Sequence, residues 1–203
     1  MTYNRSIKRI AIYCGANLGK NKLYADKATQ LGQLLAAKGI TIVYGAGNVG
    51  LMKCVADGAL KENGTIIGVI PRKLQELELI HPNLSETYIT ESMQERKLLI
   101  AQLADAFIAL PGGFGTLEEL AEVTTLTQLN YHDKPVGLLN INGYFNLLIK
   151  WLEHAAQENF IHKSHQHLIS ISDDPNEMLQ LLKDKQHPKL ELQLKDIKSN
   201  VPQ

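Results

Sequence analysis

Ala106-Phe107-Ile108-Ala109-Leu110-Pro111-Gly112-Gly113-Phe114-Gly115-Thr116-Leu117-Glu118-Glu119 joins an apolar run to a glycine turn and then to a helical pattern. The run is short and uniformly apolar, the signature of a parallel strand buried on both faces. From Leu117 to Leu129 apolar residues recur at helical spacing. Strand, glycine turn and helix start, in that order, make a place to hold phosphate. Glycine lets the backbone come close to a ligand, and the first N–H groups of a helix lack internal partners. Gly112, Gly113, Gly115 and Thr116 are therefore candidate phosphate contacts, with the carboxylates of Glu118 and Glu119 a turn away.

The same alternation extends along the whole chain. Apolar runs at Arg9–Cys14, Ile40–Tyr44, Ile66–Ile70, Tyr88–Thr90, Ala104–Leu110 and Val136–Leu139 predict strands, with a weaker run at Leu168–Ile171. Helical patterns fall between them at Leu23–Lys38, Val49–Glu62, Ser92–Leu103, Leu117–Leu129 and Tyr144–Asn159, and a last helix opens at Pro175. This predicts an α/β fold: a single doubly wound, Rossmann-like domain with a mostly parallel sheet flanked by helices. The domain is expected over residues 1–183, followed by a polar tail over 184–203. In such a sheet ligands bind at the carboxyl ends of the strands, where every glycine-rich turn of this chain falls.

Gly45-Ala46-Gly47-Asn48-Val49-Gly50 matches the G-x-G-x-x-G dinucleotide pattern after a strand and before a helix. That pattern expects an acidic residue about 20 positions on, and this chain offers Pro71-Arg72 there. NAD is therefore discounted. Gly45, Gly47 and Asn48 are kept as nucleotide or phosphate contacts, beside Cys14-Gly15-Ala16-Asn17 after the first strand. Tight turns alone explain one glycine loop; three on one sheet edge favour a ligand site.

Thr116-x-x-Glu119 fits a capping box, worth about 1 kcal/mol and needing no function. The residues alone leave capping and catalysis open for Glu119. On the Ser92–Leu103 helix, Met93 shares a face with Arg96 and Lys97. Glu118, Glu119 and Glu122 need a cation nearby and Arg96 is a candidate, although a solvated charge run reads the same way. His162-Lys163-Ser164-His165-Gln166-His167 lacks the spacing of a metal site. No Gly-x-Ser-x-Gly elbow occurs, and neither Lys53 nor Lys97 stands in a pyridoxal-phosphate motif.

Composition narrows the function further. Twenty-one Lys and Arg balance 21 Asp and Glu, which argues against nucleic acid or an acidic membrane as partner. Cys14 and Cys54 are expected as buried thiols in a reducing compartment. No apolar run approaches a membrane span, and Met1–Lys8 lacks the apolar core of a signal peptide, so a cytoplasmic location is expected.

Tyr44-Gly45-Ala46-Gly47-Asn48-Val49-Gly50-Leu51-Met52, Ser92-Met93-Gln94-Glu95-Arg96-Lys97 and Pro111 to Glu119 together resemble the LOG ("Lonely Guy") family. The resemblance runs from about Arg9 to Ile171 and includes Gly143-Tyr144-Phe145 and Trp151-Leu152. These are cytokinin riboside 5′-monophosphate phosphoribohydrolases, long labelled lysine decarboxylases. The resemblance implies a Rossmann-like fold, a homodimer or larger assembly, and hydrolysis of the N-glycosidic bond of an adenine nucleotide without cofactor or metal. It implies catalytic roles for Arg96 and Glu119; because an opposite charge within reach lowers a carboxylate pKa, Arg96 is expected to keep Glu119 ionised. The resemblance matches the family's phosphate loop to Gly112, Gly113, Gly115 and Thr116, and Gly45, Gly47, Asn48, Met93 and Lys97 are kept beside these as candidate substrate contacts. A nucleotide- or cofactor-binding protein without turnover is the alternative. The chain departs from the family at Gln94 (usually His), Ala46 (usually Gly), Lys53 (usually Gly), Ala16 (usually Ser) and Leu126 (often Trp). These departures bear on base preference.

Overall fold

Each apolar run becomes a strand: β1 (Arg9–Tyr13), β2 (Thr41–Tyr44), β3 (Ile66–Pro71), β4 (Glu86–Thr90), β5 (Ala106–Ala109), β6 (Val136–Leu139) and β7 (Ile169–Ser172). Between and after them lie α1 (Lys22–Ala37), α2 (Gly50–Lys61), α3 (Arg72–Gln75), α4 (Met93–Leu103), α5 (Phe114–Gln128), α6 (Asn146–Gln157) and α7 (Pro175–Asp184). These elements come from a computed structural model that describes residues 5–76 and 80–187. Helix α7 passes the expected boundary at 183, and residues 188–203 of the expected tail lie outside the described residues.

The strands form one parallel sheet in the order β4-β3-β2-β1-β5-β6-β7. Every residue of β3, β5 and β6 is buried, whereas β4 and β7 at the edges alternate or expose theirs. That contrast is the hydrophobic effect sorting strands by position. One face packs Leu31 and Leu35 of α1, Val55 and Ala59 of α2, and Met178 and Leu182 of α7 against Ile10, Ile12 and Ile42. The other packs Ile100 of α4, Leu120 and Val123 of α5, and Phe145 against Ala11, Val43 and Phe107.

The order reverses at β1. The chain steps outward from β1 to β4 on one side, then returns through α4 to β5 on the other. The loops after β1 and β5 therefore leave the sheet side by side, which makes this the switch point where open α/β sheets bind ligands. Among the described residues no helix is long and apolar enough to cross a membrane. Cys14 and Cys54 are free thiols, half-buried rather than fully enclosed, and burial raises the pKa of each.

Candidate active site

Hydrogen bonds between loops build the floor of the site. Leu110 N–H donates to the Tyr13 carbonyl at 2.8 Å, and Gly15 N–H donates to the Pro111 carbonyl at 3.0 Å. Leu51 N–H then donates to the Gly15 carbonyl at 3.0 Å, tying in the start of α2. A side chain at Gly50 (φ 56°) would run into the Ala16–Asn17 peptide. The three glycine turns thus meet, as their common sheet edge predicts. Above them opens a cavity of about 540 Å³, lined by the β1 loop, Arg96, Pro111 to Gly113, Glu119 and Tyr144. Its size is that of a small-molecule site.

The start of α5 differs from the expected one. Phe114 is its first residue and Gly113 its N-cap, with no side chain capping it. Leu117 N–H is the first to reach back, to the Gly113 carbonyl at 3.1 Å. The N–H groups of Phe114, Gly115 and Thr116 precede that bond, so a helix terminus faces the cavity ready for an anion. Side chains at Gly113 or Gly115 would meet nothing within 4 Å, so internal packing does not demand these glycines. Gly112 is different. A Cβ there would overlap Thr116 Oγ1 and fall 3.0 Å from Gly15 N, so packing fixes it as glycine.

Starting α5 at Phe114 also abolishes the expected capping box. Thr116 sits inside the first turn, buried, and Glu119 lies one turn further on. The Ser-x-x-Glu pattern that does cap a helix is Ser92-Met93-Gln94-Glu95. Ser92 Oγ accepts from Glu95 N–H at 3.1 Å, and Glu95 Oε2 accepts from Glu91 N–H at 2.8 Å. This cap fixes the first turn of α4, which carries Arg96.

Arg96 Nη1 stands 3.8 Å from Glu119 Oε1, and the two side chains are only 13% and 12% exposed. Arg96 Nε donates to the Val69 carbonyl at 3.1 Å, and Nη1 lies 4.0 Å from Met93 Sδ. Arg96 was expected to keep Glu119 ionised, and here burial outweighs it. Desolvation pushes the Glu119 carboxyl up to about 7, against the pull of Arg96 and with a further push from Glu118. The reason is distance as well as burial: at 3.8 Å a single ion pair gives too little to repay the lost hydration.

The other acids have a different cation from the one expected. Lys97 Nζ donates to Glu118 and stands 3.2 Å from Glu122, so Lys97, not Arg96, serves both. Lys97 is absent from the cavity lining, as are Gly45, Gly47 and Asn48. Met93, Gly112, Gly113, Gly115 and Thr116 line it with Arg96 and Glu119.

Two tyrosines also line the cavity, Tyr24 outside every motif quoted above and Tyr144 inside Gly143-Tyr144-Phe145, which carried no site role. Tyr144, following β6, donates from its hydroxyl to the Gly112 carbonyl at 2.6 Å. Its ring meets Tyr24 of α1 edge-on at 5.8 Å. The phosphate turn is thereby held from outside by one hydrogen bond, worth about 1 kcal/mol. Tyr144→Phe is expected to raise the KM for a phosphorylated ligand about fivefold with little change in kcat, read from initial rates. An equal loss in kcat would show that Tyr144 does more than hold the turn.

The His162–His167 stretch forms a short 3₁₀ turn at Lys163–His165, away from the cavity lining. Among the described residues no three His, Cys, Asp or Glu stand where they could hold a metal ion.

A glycine-walled anion cradle with a buried Arg–Glu pair, at the switch point of a doubly wound sheet, defines a Rossmann-like nucleotide or cofactor site. A family model described as "Possible lysine decarboxylase" matches residues 52–182. The chain is 42% identical over 197 residues to rice (Oryza sativa subsp. japonica) "Probable cytokinin riboside 5'-monophosphate phosphoribohydrolase LOGL2", covering 96% of this chain and 81% of that protein. It is 42% identical over 175 residues to Arabidopsis thaliana "Cytokinin riboside 5'-monophosphate phosphoribohydrolase LOG5", covering 86% and 77%. Among solved structures, the molybdenum cofactor binding protein from Rippkaea orientalis superposes with a TM-score of 0.67 at 26% identity, covering 88% of this chain and 96% of that one. The chain belongs to the LOG family, the one whose model carries the lysine decarboxylase description.

Proposed function

We propose that this protein hydrolyses the N-glycosidic bond of an adenosine 5′-monophosphate, plain or N6-substituted, releasing the free base and ribose 5-phosphate. The observation that carries this reading is the Arg96–Glu119 pair, enclosed in the same cavity as the anion-ready start of α5. The names of the LOG relatives support it.

The 5′-phosphate binds at the N–H groups of residues 114–116. This anchoring spends binding energy at a remote group to place the sugar C1′ beside Glu119. As the C1′–N bond breaks, positive charge builds on the sugar ring, as in oxocarbenium-like glycoside hydrolysis. Ionised Glu119 stabilises that charge and takes a proton from the attacking water, whose oxygen bonds to C1′. The same proton then leaves with the base, so the step balances without a second acid. A carboxyl at about 7 suits a group that must both take and return a proton near neutrality. Arg96 holds Glu119 in place and favours its charged form.

The lysine decarboxylase description finds no support in the site. Decarboxylation with pyridoxal phosphate needs a lysine for the Schiff base. Among the described residues no lysine lines the cavity, and Lys53 is paired with Asp57 at 2.7 Å.

We further place the protein in the cytoplasm as a homodimer or larger homo-oligomer. Exposed apolar side chains on two helices, Phe114 (93% exposed) and Leu117 of α5 and Leu147 and Trp151 of α6, support the assembly. Light scattering of the purified protein reads its mass, and a monomer would remove that part of the reading.

Chromatography of wild type incubated with AMP and with isopentenyladenosine 5′-monophosphate tests the activity. Free base from either nucleotide is the expected result. No base from either, with binding seen by calorimetry, would make the protein a nucleotide carrier instead.

A further inference from the structure

The glycines of Gly45-Ala46-Gly47-Asn48-Val49-Gly50 stand at the end of β2, yet Gly45 touches no part of the cavity surface. A Cβ on Gly45 would overlap Nη2 of Arg96 and fall 3.2 Å from its Cζ. The next nearest atom, Met52 Sδ, would be an ordinary 3.5 Å away. The backbone itself raises no objection to alanine, because Gly45 is not among the positive-φ glycines. Only the guanidinium forbids a side chain there. From β3 beside it, the Val69 carbonyl holds Nε of the same group at 3.1 Å.

We propose that Gly45 is a positioning residue for Arg96: its missing side chain leaves a slot at the end of β2, which the guanidinium fills with one edge while turning the other toward Glu119. The glycine turn that looks like a phosphate cradle is thus, at this position, an arginine seat. The proposal rests on the hydrolase reading for its consequence in turnover, but the seating of Arg96 is independent of it.

Gly45→Ala displaces the guanidinium and leaves the phosphate turn alone. An ångström-scale misplacement beside the reacting carbon costs about a hundredfold in rate. The expected result is therefore a fall in kcat of at least about tenfold, with KM within about threefold of wild type. In an Arg96→Ala background, where the slot is empty, adding Gly45→Ala should change kcat less than about twofold. An NMR readout separates the two ideas. The Arg96 Nε proton, bonded to Val69, should exchange slowly in wild type and quickly in Gly45→Ala. If Gly45→Ala alone fails to fold, restored folding in the double variant would still demonstrate the clash.

Wild-type kcat in Gly45→Ala, an equal loss in the Arg96→Ala background, or an unchanged Nε signal would each overturn the proposal. No turnover by wild type with a slow Nε proton lost in Gly45→Ala would overturn the hydrolase reading and keep the arginine seat.

Discussion

Glu119→Gln protein is expected to bind AMP and release almost no adenine. The substitution keeps the size and hydrogen-bonding reach of the side chain but removes the charge that the proposed mechanism sets beside C1′ and the oxygen that it assigns to take the proton. Losing a group with both roles costs about a hundred- to ten-thousandfold in kcat. Affinity, measured by calorimetry, is expected to stay within a few fold, because the proposed phosphate contacts lie at residues 112–116, which the substitution leaves alone. Turnover within tenfold of wild type would remove Glu119 from the mechanism. The same variant carries a stability signature of opposite sign. Burial lifts the Glu119 carboxyl from 4.5 to about 7. Between those pH values the folded state holds a proton that the unfolded chain has lost, so wild-type stability falls as pH rises through the window and stays reduced above it. Removing the charge should stabilise the protein at pH 8 by up to about 3 kcal/mol and do little at pH 4. Thermal melts of the two proteins at both pH values check the sign.

Arg96→Ala is expected to lose base release by about a hundredfold, with a shifted pH profile. In wild type, kcat/KM should rise with pH through about 7 as Glu119 ionises. Arg96 is the largest influence drawing that value down, ahead of Lys97, while burial, Glu118 and Glu122 raise it. Without the guanidinium the rising limb must shift to higher pH, and raising the pH should recover part of the activity. Burial of Tyr13 beneath the pair keeps its hydroxyl neutral throughout, so it adds no competing charge. A profile that drops in height without moving would mean that Arg96 acts on the substrate alone.

The sheet was legible because its strands are bare apolar runs. Val136–Leu139 matches to the residue, and the other runs err by no more than two residues at either end. The start of α5 was misplaced because Phe114-Gly115 looks like turn residue by residue, while the free N–H groups that begin a helix carry no letter of their own. A three-residue shift then turned Thr116-x-x-Glu119 into a false cap, while the identical pattern at Ser92-x-x-Glu95 formed a real one. Arg96 and Glu119 were found through motifs. The balance between them was not, since burial depends on what the rest of the chain stacks above a carboxylate. Helical spacing likewise placed Arg96 and Lys97 together and left the partition of the acids to the facing helix. Gly45 and Arg96 stand 51 positions apart and Tyr144 and Gly112 stand 32 apart, so no local pattern ties either pair.

Gly15, whose N–H and carbonyl stitch the loop after β5 to the start of α2, has a consequence for evolution. The three turns share their walls, so a change in one is transmitted to the others, and the anion cradle is poorly placed to drift alone. Tyr24 of α1 and Met93 of α4 also line the cavity, and neither takes part in the backbone bonds that join the turns. Variation among descendants of this chain is therefore expected to be freer at Tyr24 and Met93 than in the three interlocked turns.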